Sequence, residues 1–61
     1  MKKVTFKEIC PLDIIISGNN EYVVSSISRS ANRNLVRLST VNKDNRTEYF
    51  IGEPDCLLSV Q

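Results

Sequence analysis

Apolar side chains recur along this chain in short bursts separated by turn-forming residues, and nowhere at a spacing that would sustain a long helix. That pattern predicts a series of brief strands. Residues 13–17 contain Ile14, Ile15 and Ile16, three stiff β-branched side chains that suit an extended backbone. Gly18-Asn19-Asn20 follows, and both residue types tolerate positive φ, so a hairpin turn is expected there. A second strand is predicted over residues 21–28. Its alternation of Tyr22 and Val24 slips phase before Ile27, which predicts a bulge near Ser25-Ser26 and a bend in the strand. Residues 29–34 are polar and read as a loop.

A third strand is predicted over residues 35–41. Val36, Leu38 and Thr40 fall on one face, and Leu35, Arg37, Ser39 and Val41 on the other. Lys43-Asp44-Asn45-Arg46 is the clearest hairpin tip. Residues 47–51 form a fourth strand, in which Tyr49 and Ile51 alternate with Glu48 and Phe50. Gly52-Glu53-Pro54-Asp55 suits a turn or a single 3-10 step. Residues 57–60 are a short fifth strand. Near the start, Thr5-Phe6-Lys7-Glu8 has the form of a capping box, with Glu8 reaching back to Thr5. Phe6, Ile9 and Cys10 then share one helical face until Pro11 ends the segment. One helical turn is expected, covering an end of the core.

Length and charge narrow the picture. Sixty-one residues make one domain, 1–61, close to the lower limit at which a chain folds alone. Good packing or self-association is therefore expected to supply the stability. The net charge is +1, but it is unevenly spread. Arg29, Arg33, Arg37, Lys43 and Arg46 face only Asp44 in the middle of the chain. Lys2, Lys3 and Lys7 elsewhere meet Glu8, Asp13, Glu21, Glu48, Glu53 and Asp55. Such polarity can steer a partner, although it falls short of the strongly basic signature of a dedicated nucleic-acid binder. No apolar run approaches the ~20 residues of a membrane span. Met1-Lys2-Lys3 leads into no apolar stretch or cleavage site, so no secretory leader and a cytoplasmic location are expected. In that setting Asn45-Arg46-Thr47 has no meaning as a glycosylation sequon.

Two cysteines, Cys10 and Cys56, do not make a disulfide framework. The bland expectation is two small hydrophobes in the core. The sharper one is a redox-dependent staple between the outermost strands. With no histidine in the chain, an ordinary zinc site is not expected.

The order of these elements resembles the SH3-like small barrel: hairpin, long bent strand, loop, strand, tight hairpin, strand, 3-10 step and short strand. Leu12-Asp13-Ile14-Ile15, then Gly18, then Tyr22, Val24 and Ile27, is similar to the opening of short barrel domains in bacterial and phage proteins. The resemblance implies an all-β, partly open five-stranded barrel with one short helical turn near the N-terminus. It also implies a binding scaffold, a phage or mobile-element accessory protein among the possibilities, without naming an activity. Polyproline recognition does not carry over, because that needs a platform of clustered aromatics. Only Phe6, Tyr22, Tyr49 and Phe50 are present, and the core needs some of them.

Catalysis has little support. There is no histidine for neutral-pH base chemistry and no glycine-rich phosphate loop. Asp13, Asp44, Glu53 and Asp55 sit where acids serve turns. The expectation is a non-enzyme with no cofactor, metal or small-molecule substrate. Two readings of function remain. One is a protein-interaction module, self-associating or docking on a larger cytoplasmic protein. Leu57, Leu58 and Val60 are its candidate contacts, because alternation sends only one of the adjacent leucines inward and exposed sheet edges invite pairing. The other is a weak RNA- or DNA-binding barrel using Arg29, Arg33 and Arg37, with Ser28, Ser30, Asn32 and Asn34 as further donors. Against it stands a purely structural role, in which these arginines balance Glu21, Glu48 and Glu53 across the sheet. Tyr22 and Tyr49 are the candidate stacking residues, or a cross-strand packing pair.

Overall fold

Six strands and one 3-10 turn follow one another in the computed structural model, which describes residues 2–61. They are β1 (Lys2–Thr5), the turn η1 (Phe6–Glu8), β2 (Ile14–Ser17), β3 (Asn20–Ser30), β4 (Leu35–Asn42), β5 (Thr47–Gly52) and β6 (Leu57–Val60). All belong to one antiparallel sheet in the order β1-β6-β2-β3-β4-β5. The fold is all-β, as the sequence predicts, but the strand count is six and not five. The extra strand is β1, whose residues pair with β6 from Lys2 opposite Val60 to Thr5 opposite Leu57. Met1, where the leader reading begins, lies outside the described residues. No helix among the described residues is long and apolar enough to cross a membrane.

The bulge appears where the phase of the apolar residues slips. The register of β3 on β4 shifts between Val24 and Ser26, and the Ser25 hydroxyl donates to the Ser39 carbonyl at 2.9 Å. Val24 faces Thr40 before the shift and Ile27 faces Leu38 after it, so both halves of β3 direct apolar side chains to the same side. In β4, Val36, Leu38 and Thr40 are buried and alternate with exposed or half-buried neighbours, the two faces that the sequence predicts. The β2–β3 hairpin turns at Gly18, whose φ of 61° is the left-handed conformation that glycine adopts without a Cβ penalty.

The core comprises Phe6, Ile9, Ile15, Val24, Val36, Leu38 and Val60. Each contributes about 1.5–3 kcal/mol of burial. Thr40 is buried among them, and its hydroxyl is satisfied by donating to the Glu48 carbonyl at 2.9 Å. η1 covers one end of this core. Glu8 Oε1 accepts from the Thr5 N–H at 2.9 Å and from the Thr5 hydroxyl at 2.7 Å, the back-reaching half of a capping box. Phe6 and Ile9 point inward from this turn, whereas Cys10 does not. The Phe6 N–H donates to the Cys56 carbonyl and the Lys7 N–H to the Pro54 carbonyl, so η1 is tied to the segment between β5 and β6.

Both cysteines are exposed free thiols, which overturns their expected place in the core. Cys10 lies just past the turn, its N–H held by the Asp13 carboxylate at 2.9 Å, and Cys56 lies just before β6. Both lie in connecting segments outside the strands that build the core, so neither side chain is carried into it.

Candidate interaction surface

The register divides the sheet into an inner face, which holds the core, and an outer face. Directly opposed residues of an antiparallel pair point the same way. Ile14 of β2 faces Val23 of β3, and Val23 faces Val41 of β4, so these three cross the outer side as one apolar row. Val23 is 39% exposed. Farther along, Tyr49 and Ile51 of β5 face Ser39 and Arg37 on the same side and are 59% and 61% exposed. Phe50, between them, turns inward and meets Tyr22 edge-to-face with ring centroids 5.1 Å apart. Tyr22 and Tyr49 therefore occupy opposite faces and form neither a stacking platform nor a packing pair. Two signals in the sequence pointed to the outer row. In Ile14-Ile15-Ile16 and in Tyr22-Val23-Val24, alternation must send an apolar side chain away from a core on one side.

The three candidate arginines do not form one cluster. Arg29 faces Val36 and so belongs to the inner side, where it lines a groove of about 350 Å³ with Lys7, Asn34 and Pro54. Arg37 faces Ser28 on the outer side. Arg33, in the β3–β4 loop, joins Arg37, Ser28, Ser30, Leu35 and Ile51 around a second groove of about 370 Å³. The Arg37 guanidinium carbon lies 5.2 Å from the centre of the Tyr49 ring, within cation–π range. The expected balance of these arginines by Glu21, Glu48 and Glu53 is not formed. The one salt bridge among the described residues joins Lys7 to Asp55 at 2.9 Å. Its hydrogen bond, followed by the Asp55 charge, holds the Lys7 pKa above the ordinary lysine value.

Of the predicted interface residues, only Leu57 faces solvent, at 62% exposure. Leu58 is half-buried against the core and Val60 is part of it, both facing β1 across the inner side. Exposed large apolar side chains lie on the outer face at Val23, Tyr49 and Ile51, and away from it at Leu12 and Leu57. No family model, curated protein or solved structure matches the chain.

Proposed function

We propose that the protein is a non-enzymatic protein-interaction module that works through the outer side of β2–β5. The observation carrying this reading is the apolar row Ile14, Val23 and Val41 on a face that also exposes Tyr49 and Ile51, beyond Thr47 and beside Ser39 and Arg37. A sheet with one solvated face ordinarily carries polar residues there, and a contiguous apolar patch marks a contact surface. In this reading the six strands coil into a partly open SH3-like barrel plugged by η1. The contact of Phe6 with Gly52 supports that closure, because it brings the turn after β1 against the end of β5.

The experiment is affinity capture with wild-type protein and with Val23→Glu, each with and without nuclease. The expected result is a defined set of proteins, unaffected by nuclease and lost with V23E while the variant keeps its β-sheet circular dichroism. Capture indifferent to V23E sinks the reading. A second reading, an acidic ligand seated between Arg33 and Arg37, draws on the groove and on the stacking of Arg37 over Tyr49. Capture abolished by nuclease and by salt would favour a nucleic acid there.

A further inference from the structure

The sheet has two free edges, and they differ. β1 is four residues long and carries Lys2 and Lys3, the kind of charge that keeps an edge from pairing with other chains. β5 is six residues long and has no lysine, no proline and no register shift against β4. Its outward side chains, Tyr49 and Ile51, are largely exposed.

The backbone of β5 is also set for pairing. The Asn42 N–H donates to the Arg46 carbonyl at 3.0 Å, and these residues continue the register in which Val41 faces Thr47. Hydrogen-bonded pairs alternate along an antiparallel ladder. Thr40 with Glu48, Leu38 with Phe50 and Val36 with Gly52 are therefore the bonded pairs. The Thr40 hydroxyl reaching the Glu48 carbonyl agrees, since that carbonyl must point toward β4. It follows that the N–H and C=O groups of Tyr49 and Ile51 point away from β4, toward the open edge.

From this edge we infer that β5 pairs with β5 of a second copy, antiparallel about a two-fold axis at Phe50, joining two sheets into one. This deepens the interaction-module reading and rests on it. Self-complementarity identifies the occupant. Opposed residues must share a face, so each outward residue has to meet another outward one. With Phe50 facing its own counterpart, Tyr49 stands opposite Ile51 of the second copy and Ile51 opposite its Tyr49. These are the residues whose backbone groups are free, so both pairs are bonded reciprocally. Aromatic against β-branched is a favourable cross-strand match. Glu48 falls opposite Gly52, so no like charges are opposed along the seam. A net charge of +1 per copy adds little long-range repulsion.

The test is the protein's own mass and amide exchange. Sedimentation from about 1 μM to about 1 mM spans the affinities of modest homodimers. The mass should rise from 6.9 kDa toward twice that value. The amides of Tyr49 and Ile51 should become protected from hydrogen exchange as it rises. Ile51→Lys places a charge on an exposed edge position and should weaken association about tenfold or more. Lys3→Ser lies on β1, the other edge strand of the sheet, and should leave it unchanged. A monomer at every concentration with freely exchanging Tyr49 and Ile51 amides overturns the inference, as does association indifferent to I51K. If that monomer still captures partners through Val23, only the β5 pairing fails. If association persists but capture ignores Val23, only the outer-face reading fails.

Discussion

Gly52→Ala tests whether η1 truly seals the end of the core. A Cβ at Gly52 would lie 2.8 Å from both Cε1 and Cζ of Phe6, well inside van der Waals contact. A flexible exposed side chain could swing aside at little cost. Phe6 cannot, because its ring is 5% exposed and packed within the core cluster, and its backbone N–H is bonded to the Cys56 carbonyl. Overpacking of this kind costs about 1–3 kcal/mol. The whole domain, at its length, holds only about 3–9 kcal/mol of stability. A loss near 2 kcal/mol lowers the melting temperature of so small a protein by about 8–16 °C. The assay is thermal and urea unfolding of wild type, G52A, Phe6→Leu and the double variant. Removing the ring should make the alanine tolerable, giving a coupling energy of about 1–2 kcal/mol. An unchanged melting temperature in G52A, or strictly additive effects in the cycle, would refute the placement of Phe6 against β5.

Leu12 holds φ of 77°, an unfavourable region for a bulky residue, and is 79% exposed, so Leu12→Gly relieves strain without opening a cavity. Left-handed geometry costs about 1–2 kcal/mol, partly offset by glycine's extra freedom when unfolded, and a net gain of about 0.5–1 kcal/mol should appear as a higher urea midpoint. Cys10 and Cys56 should both react with a thiol reagent in native buffer as fast as in denaturant, since both are exposed. The Thr5 N–H, and then the Thr5 hydroxyl, hold the Glu8 pKa below its ordinary value. Its contribution is therefore present above the unfolded-state pKa and disappears as pH falls through the lower folded value. Glu8→Gln should flatten the decline of the urea midpoint as pH falls through and below the ordinary glutamate range, and an identical slope in both proteins would count against the cap.

Several elements were legible because one residue type left little choice. The odd spacing from Val24 to Ile27 can keep both on one face only through an extra residue, and Ser25 is that residue. The faces of β4 followed from strict alternation. β1 is not legible in the sequence, because Lys2-Lys3-Val4-Thr5 has one apolar residue and runs into a helix-start signal; it is extended because β6 offers it a partner, a tertiary effect. The arginines show the same limit. Arg29 and Arg37 fall on opposite faces once the bulge has reset the phase of β3 against β4, and spacing alone cannot supply that register. Val60 follows the same logic, since its burial depends on lying beside Ile15.

The ladder between β1 and β6 joins residue 2 to residue 60, whereas β3, β4 and β5 meet their neighbours through short hairpins. Closing so long a loop has an entropic cost that local hairpins avoid. Sequence separation thus predicts that the three-stranded meander forms before the β1–β6 ladder. During synthesis, Lys2–Thr5 has no partner strand until the ribosome has added the more than fifty residues that separate it from Leu57–Val60.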